Sequence, residues 1–160
     1  MRISRLTFVL SAVTVAALTL SLAAQSKPAA TAAPAAEKIT VYKTSSCGCC
    51  KLWVDHLKAS GFDVQAMDVS AADVRAISKA AGLKEEDTSC HTAKIGNYTV
   101  EGHVPAADIK RMLKEKPAIA GIAAPGMPQG SPGMEQGSKE PYDVMAFTKD
   151  GKTTVYAKHK

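Results

Sequence analysis

Three of the chain's four cysteines fall within four consecutive residues, Cys47-Gly48-Cys49-Cys50, and no other feature constrains the fold as much. Sulfurs this close in sequence do not cross-link distant parts of a chain, which argues against a disulfide framework. Clustered thiols suit metal or redox chemistry. The run before them, Ile39 to Lys43, is β-rich and ends in Thr44-Ser45-Ser46, a polar turn of good helix N-cap residues. Lys51 to Ala59 reads as helix, stopped by Gly61. The cluster therefore sits where a strand hands over to a helix. Free N–H groups and the positive end of the helix dipole favour thiolate there, the form that binds metal and attacks. Gly48 lets the chain turn tightly enough for several sulfurs to face one point. Cys47 and Cys50 also satisfy the Cys-x-x-Cys redox spacing, and a structural disulfide between them is the plain alternative.

A chain of 160 residues is expected to hold one domain. Its first stretch is not part of that domain. Arg2 and Arg5 precede an uncharged apolar run, Leu6 to Leu22, and Ser21-Leu22-Ala23 is a small-x-small cleavage pattern. Residues 1–23 thus read as a secretory signal peptide, which implies the periplasm; the membrane enters only if this segment is uncleaved. Residues 24–36 are Ala-rich with Pro28 and Pro34 and lack large apolar side chains, so they are expected to form a flexible tether. Residues 37–160 are left for the folded domain. The formal charge of +5 includes both arginines of the signal segment and no dense basic run. With export, that excludes nucleic acid as a partner.

Within the domain, Phe62 to Val69 alternates as a second strand, and Ser70 caps a helix that Gly82 ends. Val74 and Ile77 would face inward. Lys84 to Ser89 is polar loop. Cys90 to Ile95 and Tyr98 to Glu101 read as strands around a Gly96-Asn97 turn. Pro105 opens a helix to about Lys114, with Ile109, Met112 and Leu113 as its buried face. Ala118 to Lys139, with three Pro and five Gly, shows neither strand nor helix period and reads as one long loop. A hairpin from Tyr142 to Ala157 closes the chain. Strand, helix, strand, helix, strand, strand, helix is the order of a thioredoxin-like α/β sandwich, to which the loop and last hairpin are additions.

In such a fold the residue opening the third strand faces the Cys-x-x-Cys turn. A cis-proline usually stands there; here it is Cys90, in Ser89-Cys90-His91. A fourth sulfur is thus expected to join the cluster. Four soft thiolates suit Cu(I) or Zn(II). Met127 and Met134 lie in a Gly/Pro loop where they have little packing role, and thioether favours Cu(I). Met67, Met112 and Met145 fit core patterns. His103, in a turn before a helix, could cover the site. His91 follows Cys90 in a strand, so the two are expected to point to opposite faces. His56 stands two turns beyond Cys49, ~10.5 Å along the helix, and is expected to pack beside Trp53 on the face carrying Leu52 and Leu57. His159 reads as a free tail residue.

The residues resemble a known family at this point: the small exported proteins linked to copper resistance and typified by CopG, formerly grouped as a domain of unknown function. The matching stretches are Thr44 to Cys50, Trp53 to Leu57 with Gly61-Phe62, Ser89 to Thr92, Val100 to Pro105, and Pro125-Gly126-Met127-Pro128 through Gly130-Ser131-Pro132-Gly133-Met134-Glu135. The resemblance implies a thioredoxin-like fold, a periplasmic location, copper binding and a sulfur-bridged cluster of several copper ions with redox activity.

The expectation is a copper-binding protein holding Cu(I) on Cys47, Cys49, Cys50 and Cys90, with His103, Met127 and Met134 as further candidate ligands. A redox-active version would act as a copper oxidoreductase, and its partners would be copper ions and other periplasmic copper-handling or redox proteins. Two alternatives stand beside it. One is a thiol–disulfide oxidoreductase with Cys47 as nucleophile and Cys50 as resolving thiol. The other is a zinc-stabilised binding module.

Overall fold

A computed structural model describes residues 36–160. The expected signal peptide (1–23) and all but the last residue of the tether lie outside the described residues. Among the described residues no helix is long and apolar enough to cross a membrane.

The chain is mixed α/β, as its pattern predicts. β1 (Lys38–Lys43), α1 (Gly48–Ala59), β2 (Asp63–Asp68), α2 (Ala71–Ala80), β3 (His91–Ile95), β4 (Tyr98–Gly102), α3 (Ala106–Glu115), β5 (Gly121–Ala124), β6 (Tyr142–Phe147) and β7 (Thr153–His159) follow in order, with a single 3-10 turn at Glu85–Asp87. All seven strands form one sheet, ordered β2-β1-β3-β4-β5-β6-β7. β1 and β2 are parallel, as a helical crossover requires, and β3 runs antiparallel to β1 and to β4.

β5 overturns part of the long-loop expectation. It lies within residues 118–139, parallel to β4 and antiparallel to β6, and ties the C-terminal hairpin into the sheet. Its four residues, Gly-Ile-Ala-Ala, are all buried. A strand covered on both faces shows no polar alternation, and Gly and Ala are weak strand formers, so the sequence carries no period-2 signal.

Strand alternation splits the core. Ile39, Val41, Ala93, Ile95, Val100 and Ile122 face α1 (Trp53, Val54, Leu57) and α3 (Ile109, Met112). On the opposite face, Ala123 and Phe147 meet Ala81 and Leu83, which follow α2. There α2 also inserts a buried hydroxyl: Ser78 Oγ contacts Thr92 Oγ1 at 2.5 Å and donates to Glu101 Oε2 at 2.9 Å. Ser70 caps α2 in a reciprocal box with Asp73. Leu52, by contrast, is 42% exposed and Met67 41%, so neither joins the core. Leu52 lies off the Trp53–Leu57 stripe of α1, and β2 is an edge strand whose residues are mostly exposed. His159 is not a free tail residue. Its Nε2 pairs with Asp108 Oδ2 at 2.7 Å and its ring stacks on Tyr142, because β7 carries it alongside β6 to the start of α3.

Candidate metal centre

The first turn of α1 begins at Gly48, so the cysteine cluster lies on the helix start itself. Cys47 is the N-cap; its backbone is extended and its Sγ accepts from the Cys50 N–H at 3.3 Å. Cys49 and Cys50 follow in the first turn. Cys90 reaches the same point from the bend that immediately precedes β3. Cys50 Sγ lies 3.4 Å and Cys49 Sγ 4.0 Å from Cys90 Sγ, and Cys47 Sγ lies 3.6 Å from Cys49 Sγ. All four sulfurs fall within 4.8 Å of one another. The expected convergence of Cys90 on the cluster is therefore present. Cys47 and Cys50 are joined in a disulfide, which leaves Cys49 and Cys90 as free thiols. Four thiolates require that bridge to be reduced.

His91 departs from expectation. Its Nδ1 stands 3.3 Å from Cys90 Sγ, so the neighbours share a site instead of facing apart. Alternation holds inside a strand, and β3 begins only at His91; Cys90 sits in the bend before it. His103 Nε2 lies 3.3 Å from the same sulfur. Cys90, His91 and His103 thus form a second donor group that overlaps the four cysteines at Cys90. The two imidazoles meet edge to face at 4.9 Å, and His91 also packs on Trp53 at 4.4 Å between centroids. His91 Nε2 is buried without a hydrogen-bond partner.

Burial dominates the electrostatics. It pushes the Cys90 thiol up to about 12, helped by the Cys49 sulfur. It pulls His91 down to about 3, with His103 adding to the effect, and it also lowers His103. Both imidazoles are therefore held neutral, the form that binds metal. A metal on Cys90 must displace a proton. The donor set of sulfur and imidazole, with an orphaned buried ring nitrogen, fits a soft metal ion.

The Gly/Pro loop closes over this point. Gly133 has φ +87°, and a β-carbon there would come within 2.8 Å of the Cys49 carbonyl oxygen and 2.9 Å of Trp53 N. Only glycine lets the loop lie this close to the first turn of α1. Pro132 O receives a hydrogen bond from His103 Nδ1 at 2.8 Å. Ser131 is buried and bonds Pro128 O, and Gly133 N donates to Glu135. Met134 joins Gly48, Cys49, Leu52, Gln129, Gly133 and Gln136 around a pocket of about 440 Å³. Met127 does not line it and is 54% exposed. The structure thus brings Met134, but not Met127, to the cysteine side of the loop. A larger pocket of about 680 Å³, lined by Lys94, Thr99 and Lys149 among others, shares no residue with the cluster. His56, as expected, stands apart: its Nε2 accepts from Ala106 N at 3.1 Å and caps α3, whose N-cap Pro105 offers no side-chain acceptor.

Glu101 went unnoticed in the sequence. It is fully buried, and its carboxylate accepts from Ser89 N at 2.7 Å, Thr92 Oγ1 at 2.6 Å and Ser78 Oγ at 2.9 Å. Nothing short of the strand pairing, which sets Thr92 opposite Glu101, could have found it.

A family described as a protein of unknown function, DUF411, matches residues 88–134, from just before Cys90 to Met134. No curated protein matches. Two solved structures are similar along nearly their whole length. Copper resistance protein CopG, form 1, is 42% identical, and the match covers 78% of this chain and 98% of that one with a TM-score of 0.71. Form 2 is 44% identical, with 78% and 99% covered and a TM-score of 0.71.

Proposed function

This chain belongs to the family of copper resistance protein CopG, and from that premise we propose that it is a periplasmic copper-binding protein serving copper resistance. It holds Cu(I) on Cys47, Cys49, Cys50 and Cys90, with His103 and Met134 as further donors. The observation that carries this reading is the convergence of four sulfurs within 4.8 Å at the start of α1. Thiolate and thioether are ligands that Cu(I) favours over harder ions. The overlapping group at Cys90, His91 and His103 supports more than one copper per chain, because a thiolate can bridge. The periplasmic location rests on the sequence of residues 1–23, and the copper donors or acceptors would be other periplasmic copper-handling or redox proteins.

The test is an anaerobic Cu(I) titration of the reduced protein against a competing chelator, counting metal per chain. Tight binding of more than one ion supports the reading. Loss of every ion to the chelator refutes it. The Cys47–Cys50 disulfide favours a second reading, a thiol–disulfide oxidoreductase. Insulin reduction at ordinary enzyme rates by the copper-free protein would decide for it.

A further inference from the structure

The β3–β4 ladder runs only from Ile95↔Tyr98 to Thr92↔Glu101. Beyond Glu101, Gly102 adopts φ +69°, and any β-carbon there would meet Ala124 O at 2.6 Å and Ser89 Cβ at 2.7 Å. The two strands part here: β4 turns toward His103, and the other chain bends through Cys90. The backbone N–H groups of that bend have no ladder partner on β4. One carboxylate takes the place of the ladder. Glu101 Oε1 accepts from Ser89 N at 2.7 Å, and Oε2 accepts from Thr92 Oγ1 at 2.6 Å. Ser89 and Thr92 are the two residues that flank Cys90-His91. Ser78 Oγ of α2 fixes the carboxylate from behind at 2.9 Å. The Ser89 hydroxyl also donates to Gly126 O, which carries the constraint into the loop over the cysteines. Among the described residues no ion pair reaches Glu101.

We infer that Glu101 is the positioning residue of the metal centre: its carboxylate clasps both ends of the Cys90-His91 dipeptide and, from the strand that leads into His103, holds these three donors in register. The inference rests on the metal-binding reading of that centre. Glu101 itself points away from the sulfurs, on the face of the sheet occupied by α2, so it touches no bound ion. Groups that orient metal ligands in this way typically govern affinity by about 10–100-fold.

The experiment uses the whole reduced protein with Glu101→Gln and Glu101→Asp. Glutamine keeps the size and exchanges one acceptor for an amide donor, so either Ser89 N loses its acceptor or the Thr92 and Ser78 hydroxyls must turn round to accept. Aspartate keeps the charge and shortens the reach. Two readouts are taken. The first is the alkylation rate of Cys90 by iodoacetamide in the metal-free protein, followed by peptide mass spectrometry. The second is Cu(I) affinity in chelator competition, with and without Cys90→Ser. Expected are about tenfold faster alkylation of Cys90 in both variants, about tenfold weaker Cu(I) binding, and a smaller weakening when Glu101→Gln is added to Cys90→Ser than when it is made alone. Should either variant fail to unfold cooperatively, Thr92→Val removes a single clasp and is expected to give a smaller acceleration of the same kind. Wild-type alkylation in the folded variants overturns the inference, and so do copper losses that add in full to those of Cys90→Ser. If the wild-type protein binds no Cu(I), the copper reading fails, and alkylation of Cys90 alone decides whether Glu101 positions it.

Discussion

His103 and Pro132 are joined by a 2.8 Å hydrogen bond from imidazole Nδ1 to the proline carbonyl. A carbonyl oxygen only accepts, so Nδ1 carries the proton and Nε2 presents its lone pair, 3.3 Å from Cys90 Sγ. The loop thereby sets the tautomer of the residue that directly follows β4. His103→Gln is expected to weaken Cu(I) binding by about 10–100-fold without changing the secondary structure. Chelator competition alongside circular dichroism measures both, and undiminished affinity would remove His103 from the site.

Cys47→Ser and Cys50→Ser are expected to abolish tight copper binding. Measured against the reduced wild type, in which the Cys47–Cys50 bridge is already open, neither should cost more than about 1–2 kcal/mol of stability: serine is itself a favourable N-cap at position 47, and one hydroxyl in place of a buried thiol is a modest penalty at position 50. Copper titration and urea unfolding of each variant test the pair of outcomes. In the oxidised wild type, thiol counting under denaturing conditions should find two free cysteines, rising to four on reduction.

The two loop methionines are expected to behave differently. Met134 borders the pocket at Cys49, whereas Met127 is exposed and does not. Met134→Leu should accelerate loss of Cu(I) to a chelator, and Met127→Leu should leave it unchanged. Equal effects would contradict the distinction.

Gly133→Ala sets a β-carbon against two backbone atoms of α1 at a positive φ. About 1–3 kcal/mol of strain follows if the loop stays in place. Lifting the loop would relieve the strain at the expense of the His103–Pro132 bond. A lowered unfolding midpoint together with weaker copper retention is the expected pattern, and a wild-type midpoint would show that the loop does not pack here.

Acid should destabilise the metal-free protein. Burial is the leading cause holding His56, His91 and His103 below the ordinary imidazole range, His91 at about 3. In the unfolded chain each titrates near about 6.5. As pH falls through that value the unfolded state takes up protons that the folded state refuses, so this stability is fully present above about 6.5 and is lost below it. Burial raises the Glu101 carboxyl and acts in the opposite sense, so the test is made in the Glu101→Gln background: urea midpoints between pH 7.5 and 5 should fall steadily, and a flat profile there would mean that the three rings are not neutral in the fold.

What could be foreseen from the sequence is what local chemistry decides. The cysteines at a strand-to-helix junction, the caps at Ser70 and Gly82, and the hairpin at Gly96-Asn97 each follow from neighbouring residues. The approach of Cys90 to the cluster followed from the order of the elements. Other features escaped because they depend on contacts across the sheet. β5 has no alternation because both its faces are covered. His91 shares the site of Cys90, against the alternation of a strand, because β3 starts one residue later than its β-rich run. His159 has a partner only because β7 runs back beside β6 to the start of α3, and Glu101 has its three only through strand pairing and the packing of α2.

Trp53 is the chain's single tryptophan, wholly buried, with its indole N–H on Val104 O at 2.8 Å and its ring against His91. The molecule therefore contains one indole, which can be excited apart from its tyrosines and is built into the wall of the candidate metal centre. Its emission needs no label to report what happens there. A change in ring protonation, an arriving ion or a loop lifting from the helix would each alter the same optical signal, and stopped-flow mixing could time them in the unmodified protein.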